Sequence, residues 1–338
     1  MKAVYFEKFG GPEVLKYGEI PTPKPQKGGA LIKVKACALN HVDLHLREGL
    51  IDISLPHILG CDVSGVIEKI NGKSFLKVGQ EVVVNPSIPC GKCIRCKEGK
   101  DCEIVNIFGY KTHGGYAVYV TVPLGQLYLK PKNLSFVEAA AFPLTFLTAW
   151  RMLKTRVNLQ KGETIFIWGA SGGLGIAGVQ IAKYLGAKVF AASKSEKNSI
   201  ELKSIGADYI VNYQKENVVE KVRKLINDKG VDVVFESVGK ATWKTTLEIL
   251  KPHGRVVIAG TTSGAIASQD LSDIYYYQQT ILGSRMGYKK EFEEMLKIVN
   301  QGKIKPVIDK IFLLREAAKA QQRMESRKHF GKIVLKIK

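Results

Sequence analysis

Four cysteines lie within a stretch of thirteen residues, in the spacing Cys90-x2-Cys93-x2-Cys96-x5-Cys102. Four thiolates that close tetrahedrally on Zn²⁺ need a short loop of this kind, and an all-cysteine set leaves no position open for a substrate. Disulfides and free thiols are the alternatives, and a reducing cytoplasm disfavours the disulfides. The spacing therefore predicts one structural Zn²⁺ ion per chain, in a lobe over about residues 88–104.

A second stretch, Ala170-Ser-Gly-Gly-Leu-Gly175, joins an apolar run to an apolar pattern at helical spacing. This order is typical of a buried parallel strand that feeds a tightly packed helix. Small residues in the turn let backbone N–H groups approach a pyrophosphate, and the helix N-terminus attracts the same charge. A second strand pattern follows at residues 188–192, so we interpret the turn as a dinucleotide site and not as a merely structural glycine turn. The candidate cofactor-binding residues in it are Ala170, Ser171, Gly172, Gly173 and Leu174.

The residues after the second strand indicate which dinucleotide is bound. NAD-specific folds place an acidic residue about 20 positions after the glycine turn, whereas NADP-binding folds offer positive charge there. Here Ser193 lies eighteen residues past Gly175, with Lys194 and Lys197 after it, and Glu196 belongs to the start of the next helix. We therefore expect Ser193, Lys194 and Lys197 to face a 2′-phosphate, and NADPH to be preferred over NADH.

The pattern of elements changes near residue 130. Before it, strand patterns at 31–36, 63–70, 81–84 and 116–122 alternate with turns, which predicts a mostly antiparallel, barrel-like β domain. Ser135 and Glu138 then form a capping box that opens a helix over 135–155. Strands near 165–169, 188–192, 209–212, 231–236, 254–259 and 280–284, separated by helices, predict a doubly wound parallel sheet. We expect the closing helices and strands of residues 289–338 to return to the first domain.

Several stretches resemble the medium-chain dehydrogenase/reductase superfamily over essentially the whole chain. They are Gly11–Leu15, Ala38–Asp43, Leu59–Gly65, Gly206–Asp208 with Asn212-Tyr213, and Gly331–Leu335. The glycine turn is similar to the variant in the quinone oxidoreductase branch. The resemblance implies an α/β protein with a GroES-like catalytic domain at 1–130 and 289–338 and a Rossmann domain at 131–288.

The resemblance also implies which further residues lie at the cofactor. Zinc-free relatives place residues equivalent to Asn40 and Asp43 beside the nicotinamide, where the Asn40 amide can steady charge on a substrate oxygen. The chemistry of Asn40 alone also allows a residue that caps a local turn. The remaining cofactor-binding candidates are Thr148, Tyr213, Val238, Gly239, Gly260 and Thr261.

Zinc-type alcohol dehydrogenases hold a second, catalytic metal with a Cys, a His-Glu pair and another Cys or Asp. Alignment places Asn40, Cys61-Asp62 and Leu144 at those positions, and an amide and a leucine cannot hold Zn²⁺ as thiolates do. Whether Cys61 and Asp62 improvise a site with His41 and Cys37 is left open. The same enzymes usually have seven residues before the last lobe cysteine, so Asp101 or Glu103 could substitute for Cys102.

These observations predict an NADPH-dependent oxidoreductase that transfers a hydride to a quinone, enone or enoyl substrate without catalytic zinc. The alternative is an alcohol dehydrogenase whose catalytic metal site is atypical or absent. A small-molecule substrate fits both. We expect a homo-oligomer, either a dimer or a tetramer, because the apolar segment Thr280–Arg285 should form an edge strand next to the tyrosines Tyr275–Tyr277.

Charge and hydropathy exclude other classes. The net charge is +20, but the 51 Lys and Arg residues are scattered through every predicted element, so we expect no nucleic-acid partner. No apolar run approaches the roughly 20 residues that span a bilayer, and no signal-peptide pattern opens the chain. We therefore expect a cytoplasmic enzyme with no membrane partner.

Overall fold

The computed structural model describes residues 1–98, 101–227 and 229–338. The predicted lobe over 88–104 includes residues 99 and 100, which lie outside the described part. The chain forms two units. Unit 1 contains Met1–Leu144, Tyr288–Gly302 and Pro306–Lys338, and unit 2 contains Thr145–Gly287 and Lys303–Lys305.

The strands and helices follow in three parts of the chain. Residues 1–144 form β1 (Lys2–Tyr5), β2 (Lys16–Glu19), β3 (Gly29–Ala38), α1 (His41–Arg47), β4 (Asp62–Asn71), β5 (Glu81–Val84), β6 (Ser87–Ile88), α2 (Ile94–Lys97), β7 (Asn106–Ile107), β8 (Tyr119–Pro123), β9 (Leu127–Leu129) and α3 (Phe136–Ala140). The middle part forms α4 (Pro143–Trp150), β10 (Thr164–Ile167), α5 (Gly173–Tyr184), β11 (Lys188–Ser193), α6 (Glu196–Ser204), β12 (Tyr209–Asn212), α7 (Val218–Leu225), β13 (Val231–Glu236), α8 (Trp243–Glu248), β14 (Leu250–Ile258), α9 (Leu271–Tyr276) and β15 (Thr280–Gly283). The last part forms α10 (Lys289–Asn300), β16 (Ile308–Leu313), α11 (Ala317–Glu325) and β17 (Lys332–Lys336). None of the helices in the described ranges is long and apolar enough to cross a membrane.

Unit 1 is built on a seven-stranded sheet with the order β16-β17-β3-β4-β5-β9, in which β8 also pairs with β3. The strands pair antiparallel, except that β16 and β17 are parallel. Apolar side chains such as Phe6, Ile32, Phe108 and Leu335 are fully buried together in the core of this unit. The predicted return of the last strands to the first domain is confirmed, because β17 pairs with β3.

The register of this sheet brings distant residues to one place. Ala38 on β3 lies opposite both Asp62 on β4 and Val334 on β17. Strand β17 runs antiparallel to β3. Asn40, two residues after Ala38, therefore lies next to Lys332, two residues before Val334. One end of three adjacent strands therefore gathers an amide, a carboxylate and an ammonium group.

Unit 2 is built on a six-stranded sheet with the order β12-β11-β10-β13-β14-β15, and every pairing in it is parallel. The predicted doubly wound sheet is confirmed. Its carboxyl-terminal edge carries the turns after β10, β11, β13 and β14, which is where open α/β sheets bind ligands. Large apolar residues from adjacent strands, such as Phe166, Phe190, Val234 and Val256, are fully buried in its core.

Several boundaries in the structure differ from the predicted ones. The helix over 135–155 opens at Ser135 with the predicted capping box, but it ends at Ala140 and a new helix starts at Pro143, because proline cannot continue the first helix. Residues 131–144, assigned by sequence to the dinucleotide domain, belong to unit 1, because α3 packs its alanines on β3 and β17. Lys303–Lys305 conversely belong to unit 2, where Lys305 exchanges two hydrogen bonds of 2.8 Å with the Gln180 amide.

Candidate functional site

The four cysteines of the predicted zinc lobe converge in unit 1. Their Sγ atoms all lie within 4.8 Å of one another, and the Cys90–Cys96 and Cys93–Cys102 pairs are each 4.0 Å apart. A tetrahedral Zn²⁺ with bonds of about 2.3 Å separates its sulfur ligands by about 3.8 Å. Backbone N–H groups also donate to the sulfurs, from Cys93 to Cys90 at 3.4 Å and from Cys90 to Cys102 at 3.3 Å. The donor set therefore fits a structural zinc ion.

Cys102 is part of this cluster despite its short spacing. Its side chain is buried, and its carbonyl oxygen accepts a hydrogen bond from the Tyr288 hydroxyl at 2.9 Å. Neither Asp101 nor Glu103 is needed to complete four ligands. Within the described ranges, no other group of three or more His, Cys, Asp and Glu side chains comes together as potential metal ligands.

The Asn40 amide forms the centre of a second cluster in unit 1. The side chain is buried, and its Oδ1 accepts a hydrogen bond from Lys332 Nζ at 2.6 Å. Its Nδ2 donates to Asp62 Oδ2 at 2.9 Å and faces Cys61 Sγ at 3.4 Å. Asn40 occupies the N-cap position of α1, where its main-chain N–H donates to Asp43 Oδ2. Beyond this local cap, the buried amide joins Lys332 and Asp62, which lie far from it in the sequence.

Asp62 connects the three positions that alignment placed at a catalytic metal. Its Oδ1 accepts the Leu144 N–H at 2.8 Å, and its Oδ2 accepts from Asn40 and, at 3.2 Å, from Lys332. The structure thus brings Asn40, Cys61-Asp62 and Leu144 together as the alignment implied. Because donors already occupy both carboxylate oxygens and Leu144 contributes a main-chain N–H, this donor set does not fit a Zn²⁺ ion.

Asp43 is buried beside this cluster and supports its backbone. Its Oδ2 accepts the Asn40 N–H at 2.7 Å and its Oδ1 accepts the Gly60 N–H at 3.1 Å. Burial raises the pKa of Asp43 to about 7, against the opposing effect of those N–H groups and of Lys332. Gly60 has φ +104°, and a Cβ there would lie 2.5 Å from Cys37 Sγ. Asp43 therefore holds two backbone segments in place, with both oxygens directed at the protein.

The remaining candidates near Asn40 do not add a metal site. His41 lies with its ring centroid 6.3 Å from that of His329, and burial together with His329 lowers the pKa of His41 to about 4. Burial raises the pKa of the Cys61 thiol well above its ordinary value, so that it stays protonated near pH 7. His45 is half-buried on α1. The improvised site of Cys61, Asp62, His41 and Cys37 is not among the ligand groups that the described residues form.

The glycine turn in unit 2 joins β10 to α5. Helix α5 follows Gly172 as its N-cap residue, and no side chain caps its first N–H groups. A Cβ on Gly175 would lie 2.2 Å from the Gly169 carbonyl oxygen, so the close approach of turn and helix requires glycine there. Ala170 is fully buried under the turn, and Ser171, Gly173 and Leu174 are half-buried. The uncapped N–H groups at this helix N-terminus suit a pyrophosphate.

The residues after β11, which the sequence predicts to face a 2′-phosphate, form a turn held by serine hydroxyls. The buried Ser193 hydroxyl donates to the Ser195 carbonyl at 2.9 Å and accepts from Ser199 Oγ at 3.1 Å, so it organises the turn. Lys194 is half-buried and Lys197 is exposed on α6, whose first residue is Glu196 as expected. In the same unit, Tyr213 is exposed and its ring stands edge-on to Trp168 with a centroid distance of 6.1 Å.

A buried carboxylate holds the loop after β13. Glu236 Oε1 accepts the N–H groups of Val238 at 2.6 Å and Gly239 at 3.0 Å. Its Oε2 accepts the hydroxyls of Thr242 at 2.8 Å and Thr246 at 2.7 Å.

The loop after β14 is joined to this one. The Ser263 N–H donates to the Val238 carbonyl at 2.8 Å, and the Gly264 N–H donates to the Thr261 carbonyl at 3.0 Å. A Cβ on Gly260 would lie 3.0 Å from the Ser237 carbonyl oxygen. The candidates Val238, Gly239, Gly260 and Thr261 are therefore adjacent, whereas Thr148 lies buried on α4.

Two residues of these clusters were missed by sequence reasoning. Lys332 belongs to the closing Gly331–Leu335 motif. Its side chain is buried although the other buried residues of β17 are apolar, and only the register of β17 reveals this burial. Glu236 ends an apolar strand as its only buried acid. A charged residue at the end of a buried strand was the available sign in both cases.

Comparison with known proteins agrees with both units. Residues 26–132 match the family described as alcohol dehydrogenase GroES-like domain, and residues 173–301 match the family described as zinc-binding dehydrogenase. The chain is 33% identical to an NAD-dependent alcohol dehydrogenase of Sulfolobus acidocaldarius, with 100% of each chain covered. It is 31% identical to a quinone oxidoreductase of Pongo abelii, with 95% of this chain and 93% of the relative covered.

A solved structure described as an NAD-dependent alcohol dehydrogenase is similar over 100% of both chains, with a TM-score of 0.97 and 40% identity. Together with the two matched domains, these similarities extend over the whole length of the chain. This protein is an oxidoreductase that belongs to the medium-chain dehydrogenase/reductase superfamily.

Proposed function

We propose that this oxidoreductase is an NADPH-dependent reductase that transfers a hydride to a quinone, enone or enoyl substrate without a catalytic zinc ion. The observation that carries the proposal is the Asn40–Asp62–Lys332 cluster. The resemblance aligns Asn40 and Asp62 with positions that hold the catalytic metal in zinc-type alcohol dehydrogenases, and the oxygens of both side chains are already bonded to N–H donors.

The reduced nicotinamide, when bound, supplies the hydride. Negative charge then grows on the substrate carbonyl oxygen and needs a hydrogen-bond donor. One N–H of the Asn40 amide is held by the Asp62 carboxylate, and the other faces Cys61 Sγ at 3.4 Å. Because a thiol is a weak acceptor, a substrate oxygen can replace it at little cost. Asn40 is therefore our candidate catalytic residue, and Asp43 supports it through the backbone.

The cofactors follow from the two other clusters. We propose that NADPH binds unit 2 through the glycine turn at Gly172 and through Lys194, and that one structural zinc ion braces the loop that holds the four cysteines. NADH remains the less favoured cofactor. We further propose that unit 1 supplies the substrate-facing residues and that the enzyme acts in the cytoplasm as a homo-oligomer.

Alcohol dehydrogenation is the second candidate function, because relatives at 31–33% identity are named NAD-dependent alcohol dehydrogenases. In that case the Asn40 cluster would hold an alcohol oxygen without a metal, or a metal would bind in an arrangement that expels Lys332. The two candidates therefore differ in substrate, in cofactor and in metal content.

An activity panel separates the candidates. Oxidation of NADPH and NADH is measured against a quinone, an enone and an enoyl thioester, and reduction of NADP⁺ and NAD⁺ is measured against primary and secondary alcohols. The proposal expects the highest kcat/KM for NADPH with one of the first three substrates. A higher kcat/KM for an alcohol with NAD⁺ would replace it with the second candidate.

Metal analysis of the same protein tests the zinc assignment. We expect about one zinc ion per chain, because the described residues bring one group of four cysteines together. Cys93→Ser should lose that metal, whereas Cys37→Ala, which removes a thiol outside the cluster, should keep it. Two metal ions per chain, with activity lost on mild chelation, would contradict the absence of a catalytic zinc.

A further inference from the structure

Lys332 is a buried cation at the proposed catalytic site. Its side chain is 4% exposed, and its ammonium meets three acceptors: the Leu39 carbonyl at 2.7 Å, Asn40 Oδ1 at 2.6 Å and Asp62 Oδ2 at 3.2 Å. An ammonium has three donors, so these contacts use all of them. Lys332 therefore has no donor left for a substrate and can act only through its neighbours.

We propose that Lys332 is a positioning residue that holds the oxygen of the Asn40 amide and balances the charge of Asp62. The amide nitrogen is thereby turned toward Cys61, where its second N–H is available to a substrate oxygen. The inference deepens the proposed function and rests on its assignment of Asn40 as the donor.

The charge balance matters because the substrate oxygen becomes negative during hydride transfer. Without Lys332, the charge of the buried Asp62 carboxylate would be uncompensated. That carboxylate accepts a hydrogen bond from the same Asn40 amide that would donate to the substrate oxygen. A nearby negative charge opposes the development of another in a site from which water is excluded. Lys332 thus does with a fixed side chain part of what a bound cation does in metal-dependent relatives.

A merely structural role is the competing explanation, and Lys130 provides the matched control. Its side chain is 7% exposed in the same unit, where its ammonium pairs with Glu81 at 3.2 Å and donates to the Leu134 carbonyl at 2.5 Å. It shares no partner with Lys332. Lys130→Met therefore removes a buried, ion-paired ammonium without touching the Asn40 cluster.

Steady-state kinetics test the proposal on whichever substrate and direction the wild-type enzyme uses best. We expect Lys332→Met to lower kcat by at least about tenfold, as for loss of a preorganised oxyanion contact, with the KM for the cofactor unchanged. Lys130→Met should keep kcat within about twofold while losing thermal stability. Equal losses in the two variants, or an unchanged kcat in Lys332→Met, would overturn the proposal.

The double variant Asp62→Asn/Lys332→Met separates charge balance from packing. Removing both charges together should restore part of kcat relative to Lys332→Met, because no unpaired buried charge remains. If Lys332→Met does not fold, the double variant should fold and keep measurable activity for the same reason. A double variant that does not fold, or that is no more active than Lys332→Met, would contradict charge balance.

Thermal unfolding gives a readout that needs no substrate, so failure of the proposed function leaves the inference testable. Lys332→Met leaves two buried carboxylates, Asp62 and Asp43, beside the thiols of Cys37 and Cys61 and without a cation. Its melting temperature should therefore rise more than that of the wild type as pH falls from about 8 to about 5.5, because protonation removes unpaired buried charge. Asp62→Asn/Lys332→Met should show a smaller rise. Identical pH dependence in all three proteins would exclude the charge-balancing role.

Discussion

At the scale of single residues, the polar atoms of the Asn40 cluster differ in the strength of the hydrogen bonds that they already make. The bond from Asn40 to the Asp62 carboxylate is charge-assisted and strong, whereas the contact with Cys61 Sγ is weak. If Asn40 is the donor that we propose, we expect a substrate oxygen to displace the weaker partner. The substrate oxygen would then approach Asn40 from the side of Cys61.

The proposed preference for NADPH gives a prediction for a single residue, Lys194. Lys194→Ala should raise the Kd for NADPH about tenfold, since one charge-assisted bond to a phosphate is lost, and leave the Kd for NADH nearly unchanged. Fluorescence titration with each cofactor measures this. Lys203→Ala, which removes an exposed lysine at the end of α6 in the same unit, serves as the control and should change neither value. An equal loss for both cofactors would remove the 2′-phosphate from the assignment.

Sequence spacing can find residues that act within a short loop, and it cannot find partners that meet across a sheet. The four cysteines are recognisable because their ligand geometry is local. Lys332 lies 292 residues from Asn40 and is one of 51 basic residues, so only the pairing of β17 with β3 distinguishes it. Resemblance to the superfamily indicated Asn40 and aligned Cys61-Asp62 with the same site, but it gave no sign that Lys332 is a partner of Asn40.

At the scale of elements, local chemistry was predictable where neighbouring residues decide it. The Ser135–Glu138 capping box forms as expected, with the Glu138 carboxylate accepting the Ser135 N–H at 2.8 Å. The end of that helix was not predicted, because the apolar pattern continues through Pro143. A proline has no N–H group, however, and cannot continue the hydrogen bonding of the first helix. Tertiary packing of α3 on the sheet of unit 1 then decided the unit to which the segment belongs.

The loop between β13 and α8 gives a prediction at this scale. Glu236→Gln replaces a carboxylate that accepts four hydrogen bonds with an amide that cannot accept at its nitrogen. We expect the free energy of unfolding to fall by about 1–3 kcal/mol. NADPH should also bind more weakly, because the loop that carries Val238 and Gly239 loses its anchor. Chemical denaturation and cofactor titration measure the two effects.

Glu248→Gln is the matched control for that variant. Glu248 lies on α8 of the same unit, its side chain is 43% exposed, and its ion pair with Lys244 is 3.8 Å long. An exposed pair of this kind contributes little to stability. Similar losses in both variants would show that the buried position of Glu236 has no special role in holding the loop.

At the scale of the whole molecule, the parallel sheet of unit 2 and the edge position of its last strand were predictable from the sequence. Alternating strand and helix patterns suffice for a parallel sheet, so β15 was expected at an edge, and it pairs with β14 at the end of the strand order. The described strands leave its other side unpaired. Ile281 on β15 and Tyr275 and Tyr276 on the preceding helix α9 have exposed side chains.

An exposed apolar edge strand favours pairing with a second copy, and two-fold pairing of β15 would extend six strands to twelve. We therefore expect light scattering behind a sizing column to give at least the mass of a dimer at micromolar concentration, and Ile281→Lys to shift it toward the single chain. Ile281 is 40% exposed, and Ile311→Lys is the matched control, because Ile311 is 48% exposed on β16 at the edge of the other sheet. A single-chain mass for the wild type would end the oligomer prediction. If Ile311→Lys dissociates the dimer and Ile281→Lys does not, the dimer interface lies in unit 1, because a buried lysine opposes association only where the strands meet.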